Sequence, residues 1–307
     1  MLQSHQSFCS FQLFFVAAKT ILVTGANGQL GSEMQVIAKS YPAYNFLFVT
    51  RAQLPIDDVQ AVQQYFAAHP IDVCVNCAAY TAVDKAETEK EKANAINGTA
   101  VGNLADLCKQ YNAAFIHIST DYVFDGTASI PYTASHPVNP VNAYGASKLL
   151  GETLAVQHNP DSIIIRTSWV YSSFGNNFVK TMLRLMKERE SLNVVADQRG
   201  CPTYAADLAK AIMQIVEQLP VQFNPTVPAA GIFSYSNKGD ITWHEFAQAI
   251  KEISGSACIV NPIPSTQYPT PAKRPAYSVM DISKIEKQFG LTVPAWRDSL
   301  EKCIQLL

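Results

Sequence analysis

Charge is scarce in this chain and nearly balanced: Asp, Glu, Lys and Arg make up 16% of 307 residues, and the formal net charge is −2. That balance gives no basic surface to draw a nucleic acid and no electrostatic reason to expect a membrane as partner. Internal repeats and low-complexity segments are lacking, while hydrophobic residues reach 48%, so a packed core is expected rather than disorder. A disulfide framework is lacking too. The cysteines are odd in number and scattered, at Cys9, Cys74, Cys77, Cys108, Cys201, Cys258 and Cys303. Cys74-x-x-Cys77 has no second CxxC or histidine pair to complete a zinc set, and its place in the apolar run Ile71–Ala79 reads as buried thiols. No apolar run is long enough to span a bilayer. Phe8–Ala18 is apolar like a signal peptide, but the residues before it include no Lys or Arg. Residues 1–18 are therefore expected to be an extension outside the fold, and the expected location is cytoplasmic.

What is present is an alternation of short apolar strands and helical stretches. Strands are expected at Thr20–Thr24, Phe46–Thr50, within Ile71–Ala79, and at Ala114–Ser119 and Ser162–Thr167. Helices are expected from the glycine turn to Ser40, and at Val59–Ala68, Ala93–Tyr111 and Ala143–Gln157. This order predicts an α/β fold, a Rossmann-type doubly wound parallel sheet over residues 19–167. The remainder is proline-rich, with helical pieces at Asn177–Arg189, Ala205–Gln218, Thr242–Ile253 and Asp281–Phe289. It reads as a smaller C-terminal substrate-binding domain, 168–307, with 205–218 packing back on the first domain.

Gly25-x-x-Gly28-x-x-Gly31 lies between the first strand and the first helix. Such a turn lets backbone approach a pyrophosphate at a helix N-terminus, which makes Gly25, Asn27, Gly28, Gln29 and Leu30 candidate cofactor ligands. The second strand ends in Thr50-Arg51 with no acid for the ribose hydroxyls of NAD. Arg51 can accept a 2'-phosphate, which favours NADPH, with NADH as the alternative. Ala78, Ala79, Tyr80 and Thr81 end the third run with mostly small residues that leave room for a ribose. Asn97 is placed to brace this backbone or to lie on a helix surface. Tyr144 and Lys148 stand four apart on one helix face. A phenol is a poor acid-base group at neutral pH unless a nearby ammonium stabilises its phenolate. With the Thr120 hydroxyl to hold a carbonyl oxygen, the set names hydride transfer at a carbonyl carbon.

The longer motifs are more specific. Ala78-Ala-Tyr-Thr-Ala-Val-Asp-Lys-Ala-Glu87, Ser119-Thr-Asp-Tyr-Val-Phe-Asp-Gly126 and Arg166-Thr-Ser-Trp-Val-Tyr171 occur in order. They are followed by Asn176-Asn-Phe-Val-Lys-Thr-Met-Leu-Arg184, Asp197-Gln-x-Gly-x-Pro-Thr203 and Tyr268-Pro-Thr-Pro-Ala-Lys-Arg-Pro275. Over residues 20–307 the chain resembles the dTDP-4-dehydrorhamnose reductase family of extended short-chain dehydrogenase/reductases. The resemblance implies NADPH-dependent reduction of the C4 ketone of dTDP-4-dehydro-β-L-rhamnose, the last step of dTDP-rhamnose biosynthesis. It implies that Tyr144 protonates the forming alkoxide, Lys148 binds the nicotinamide ribose and depresses the tyrosine pKa, and Thr120 bonds the keto oxygen. Asp121, Trp169, Asn177 and Arg274 would meet the sugar nucleotide, and Asp57 the adenine. Pro55 and Tyr277 stand where members often have Asp and Asn. A dehydratase of the same superfamily would need Glu after Asp121, where Tyr122 stands. Another nucleotide-sugar reductase or epimerase is an alternative, as is a non-catalytic subunit like that of methionine adenosyltransferase; intact Thr120, Tyr144 and Lys148 favour catalysis. Neither a homodimer nor a bound Mg2+ is derivable from these residues, because an acidic run such as Glu87–Glu91 is equally a solvated helix face.

Overall fold

The computed structural model describes residues 18–219 and 230–307; Cys9 and nearly all of the expected N-terminal extension lie outside the described residues. Five apolar segments form the parallel strands β1 (Thr20–Thr24), β2 (Asn45–Val49), β3 (Val73–Asn76), β4 (Ala114–Thr120) and β5 (Ile163–Thr167). A sixth parallel strand, Gly231–Ser234, joins the far edge of β5, so the sheet runs β2-β1-β3-β4-β5 and then Gly231–Ser234. The inner strands β1, β3 and β5 are buried at every position. Sheets covered on both faces demand such continuous apolar runs rather than an in–out alternation.

The helices divide between the two faces. Gln29–Ala38 and Ala205–Gln218 pack on one face, where Met34, Leu208, Ile212 and Ile215 meet Ile21, Val23, Val75 and Ile165. On the other face Val62, Phe66, Val101 and Leu104 meet Leu22, Cys74, Phe115 and Ile164. The second half thus returns to the sheet three times, through Ala205–Gln218, Gly231–Ser234 and the Ser283–Phe289 helix, whose Ile285 and Phe289 join the first core. A separate core around Tyr171, Met182, Leu192, Phe246, Val260 and Leu300 belongs to a smaller lobe. That lobe is built on the helices Phe178–Glu188, Trp243–Ser254 and Trp296–Ile304 and on the parallel pair Ser191–Val195 and Ile259–Ile263.

The expected helix Ala93–Tyr111 is interrupted. It consists of Lys90–Asn94, a π-helical turn at Ala95–Thr99, and Ala100–Gln110. The widened turn carries Asn97, whose side chain is fully buried.

A charged pair sits inside the polar end of the sheet. Arg166 on β5 donates from Nε and Nη2 to both carboxylate oxygens of Glu152, at 2.9 and 2.7 Å, with the two side chains only 3% and 2% exposed. Ser119 on β4 donates to the same carboxylate. Removing one partner would leave a bare charge in the core, so Glu152→Ala is expected to cost about 3–5 kcal/mol. Urea denaturation checks this; a loss under about 1 kcal/mol would show the pair to be solvated.

Candidate active site

The strand carboxyl ends open on a cavity of about 860 Å³, within the range of small-molecule pockets. On its β1 side the chain turns at Gly25, whose φ of +64° favours glycine, and Gly28 N–H donates to the Gly25 carbonyl at 2.9 Å. A Cβ at Gly31 would stand 2.4 Å from the Gly25 oxygen, so the helix Gln29–Ala38 can start this close only with glycine there. Gly28 gives that helix no side-chain cap, which leaves its first N–H groups to meet an anion. This is the fit a dinucleotide pyrophosphate requires.

Gly25, Asn27, Gly28, Gln29, Leu30, Ala78, Ala79, Tyr80, Thr81, Thr120, Asp121, Tyr144, Lys148 and Trp169 all line this cavity. Arg51 and Asp57 line its rim, ion-paired to each other at 3.6 Å, with the Arg51 side chain 63% exposed. Three expected residues stand elsewhere. Asn97 sits behind the wall: it accepts from Tyr80 N–H at 2.8 Å and donates to Tyr80 O at 3.0 Å and Ser147 Oγ at 2.9 Å, bracing main chain rather than lining the space. Asn177 caps the helix Phe178–Glu188 through Lys180 N–H and donates to Gln29 Oε1 at 2.9 Å, while its neighbour Asn176 lines the cavity. Arg274 holds both carboxylate oxygens of Asp84, at 3.1 and 2.9 Å.

Tyr144 and Lys148 owe their placement to Asn142, whose side chain accepts from Gly145 N–H and caps the helix Ala143–His158. Burial pushes the Tyr144 phenol up to about 12; the Thr120 hydroxyl lowers it and the Asp121 charge raises it. The expected lowering of this phenol by Lys148 is not what sets its value here. The Lys148 ammonium instead donates to the Ile118 carbonyl at 2.6 Å and lies 3.3 Å from His117 Nε2. Burial brings Lys148 down to about 8, against the raising charges of Glu152 and Cys77. His117, on the other side, has its pKa held well below the usual value by burial and by Lys148. Its Nδ1 meets Asn76 Nδ2 at 3.0 Å, and Asn76 Oδ1 accepts from Thr24 Oγ1 at 2.6 Å. A buried polar chain therefore runs from the end of β1 to the helix Ala143–His158.

Asp121 is the most perturbed acid. Oδ1 accepts from Thr120 Oγ1 at 3.0 Å, while Oδ2 is buried without a hydrogen-bond partner among the described residues. A buried carboxylate oxygen without a donor is costly, and the nearby Ser278 hydroxyl offsets part of that cost. Burial raises this acid to about 6, against the Ser278 and Thr120 hydroxyls. Sequence reasoning missed Trp243, which lines the far wall and stacks on Trp169 with centroids 3.6 Å apart. It also missed His117 and Asn76. The capping box Thr242-x-x-Glu245 marks a helix start at Trp243, but nothing in spacing brings that start to Trp169.

A family model described as RmlD substrate binding domain matches residues 19–307. A Burkholderia thailandensis protein named dTDP-4-dehydrorhamnose reductase is 40% identical over 297 residues, covering 93% of this chain and 98% of the relative. A crystal structure of a dTDP-4-dehydrorhamnose reductase from Clostridium acetobutylicum is 40% identical with a TM-score of 0.88, covering 94% of this chain and 99% of its own. The Bacillus anthracis reductase of the same name, solved in complex with NADP, is 36% identical with a TM-score of 0.88, covering 94% of this chain and 100% of its own.

Because the native state holds the Asp121 proton more tightly than the unfolded chain does, stability falls as pH rises from about 4 to about 6 and stays lower above. Asp121→Asn removes that loss. Its thermal midpoint is expected above wild type at neutral pH, with the gain gone near pH ~4; a midpoint below wild type at every pH would show the carboxylate to be well satisfied.

Proposed function

We infer the activity from a fixed starting point: the chain belongs to the RmlD substrate binding domain family. We propose that it is a dTDP-4-dehydrorhamnose reductase, which reduces the C4 ketone of dTDP-4-dehydro-β-L-rhamnose to dTDP-β-L-rhamnose with NADPH. The observation that carries this reading is the meeting of Thr120, Tyr144 and Lys148, from β4 and one helix, in the same cavity as the glycine turn. Intact catalytic groups there oppose a purely regulatory role. NADPH is supported by Arg51 on the rim and by the NADP complex of the Bacillus anthracis reductase.

Bound NADPH supplies the hydride. The protein supplies the rest. Gly25, Gly28 and the first N–H groups of Gln29–Ala38 hold the pyrophosphate. The Thr120 hydroxyl and the Tyr144 phenol converge on the ketone oxygen and fix its carbonyl carbon within reach of the nicotinamide. As negative charge builds on that oxygen, the Tyr144 O–H transfers its proton to it. An alkoxide is a stronger base than a phenolate, so a phenol near 12 still gives up its proton readily. Lys148 holds positive charge beneath the phenol and stabilises the phenolate left behind. Asp121 Oδ2 takes a sugar hydroxyl and resists wrong stereochemistry by leaving a buried charge unpaired.

Purified protein is expected to oxidise NADPH, and NADH less well, only when dTDP-4-dehydrorhamnose is present. Tyr144→Phe should bind NADPH with unchanged affinity and lose about 10²–10⁴-fold in turnover; near-full activity in that variant would remove Tyr144 from the mechanism. The pH profile provides a second check. Tyr144 keeps its proton through the assay range, whereas Lys148 sheds its charge above about 8. The alkaline limb of kcat/KM is thus expected near pH ~8, and a profile flat to pH ~10 would count against Lys148 acting as a cation.

A further inference from the structure

The Asp197-Gln-x-Gly-x-Pro-Thr203 motif has no part in the chemistry above, yet it lies against the segment that carries Trp169. Ser168 Oγ donates to the Cys201 carbonyl at 2.6 Å, Thr167 Oγ1 donates to Thr203 Oγ1 at 3.1 Å, and Val170 pairs with Thr203 in parallel. Between these ties Trp169 adopts φ +47°, a left-handed conformation that a bulky residue holds only when its surroundings impose it. The indole is then fixed from two sides. On one face Trp243 stacks at 3.6 Å and 11° to parallel, itself backed by Phe178 at 4.7 Å. At the benzo edge lies Gly200, where a Cβ would fall 2.7 Å from Trp169 Cε2 and Cζ2. Any side chain at 200 would force the ring or its neighbours to shift. Both tryptophans face the cavity that holds Thr120 and Tyr144.

We propose that Gly200 and Trp243 are positioning residues for substrate recognition. Together they clamp the Trp169 indole as a flat wall for the apolar face of the hexose ring, setting the depth at which the sugar presents its ketone to Tyr144. This rests on the sugar-nucleotide reading above. The motif's glycine is thereby explained by space for an aromatic ring rather than by backbone freedom. The ligand class is a pyranose, which offers axial C–H groups to an aromatic face.

The clamp has a signature independent of activity. Two indoles stacked this closely couple their transitions and give an exciton couplet in far-ultraviolet circular dichroism. Gly200→Ala and Trp243→Leu are both expected to weaken or abolish the couplet in the full-length protein. Both should raise KM for dTDP-4-dehydrorhamnose about tenfold while NADPH affinity changes less than about twofold. Trp243→Phe should restore most of the KM, because a flat ring again backs Trp169. Thermal unfolding of each variant shows that it is folded. A Gly200→Ala protein that keeps both the couplet and the wild-type KM overturns the clamp, as does a Trp243→Phe protein no better than Trp243→Leu. A wild-type protein that shows the couplet but reduces no sugar nucleotide overturns the functional reading and with it the assignment of a pyranose to this wall.

Discussion

The buried chain Thr24–Asn76–His117–Lys148 is the constraint around which the site is organised. Each member comes from a different element, β1, β3, β4 and the Tyr144 helix. None of these groups can turn to water, since all are at most 2% exposed, so each must find its partner inside the protein. Their mutual satisfaction levels the ends of three parallel strands. The glycine turn after β1 and the Thr120 hydroxyl after β4 thereby come to fixed positions relative to the phenol. The glycine turn, the Thr120 hydroxyl and the Tyr144 phenol hold their spacing because the polar groups beneath them are satisfied by one another.

Above that floor, polar side chains are among the ties that attach the smaller lobe. Asn177 bonds to Gln29 at the very start of the pyrophosphate helix, Ser172 donates to the buried Glu33 on the same helix, and Arg274 grips Asp84 across the opening. Burial raises Glu33, whereas the Arg274 guanidinium lowers Asp84. The lobe is thus tied to the start of the helix Gln29–Ala38 and to the segment after β3, and the first of these ties, through Gln29, borders the cavity.

Much of this was legible in the sequence because it is local. The parallel sheet follows from continuous apolar runs, the turn from glycine spacing, and Tyr144–Lys148 from helical periodicity. What escaped depends on contacts between residues far apart in the chain. Asn97 was readable as a polar residue among small ones, but its bracing role depends on a π-helical turn that no periodicity announces. Asn177 and Arg274 were expected at the ligand, and the structure shows their protein partners, Gln29 and Asp84, which lie far off in the chain and which spacing does not announce. For the Tyr144 phenol, spacing places a lysine one turn away but shows neither the burial that raises the phenol nor the hydrogen bonds that Lys148 makes to the Ile118 carbonyl and His117. The final strand of the sheet is only four residues long and follows a proline-rich stretch, so it gave little signal.

That last strand has a consequence for how the molecule is made. On a ribosome the chain emerges from its N-terminus, and domains begin to organise as they appear. β1 to β5 are complete once residue 167 is out, but the outer edge of β5 stays open until Gly231–Ser234 arrives, with only part of a second core emerging in between. β5 is Ile-Ile-Ile-Arg-Thr, apolar on both faces for most of its length. Until it is capped, that edge is a template for strands of other chains. The charge of Arg166 near its end, unpaired until Glu152 is docked, discourages such pairing.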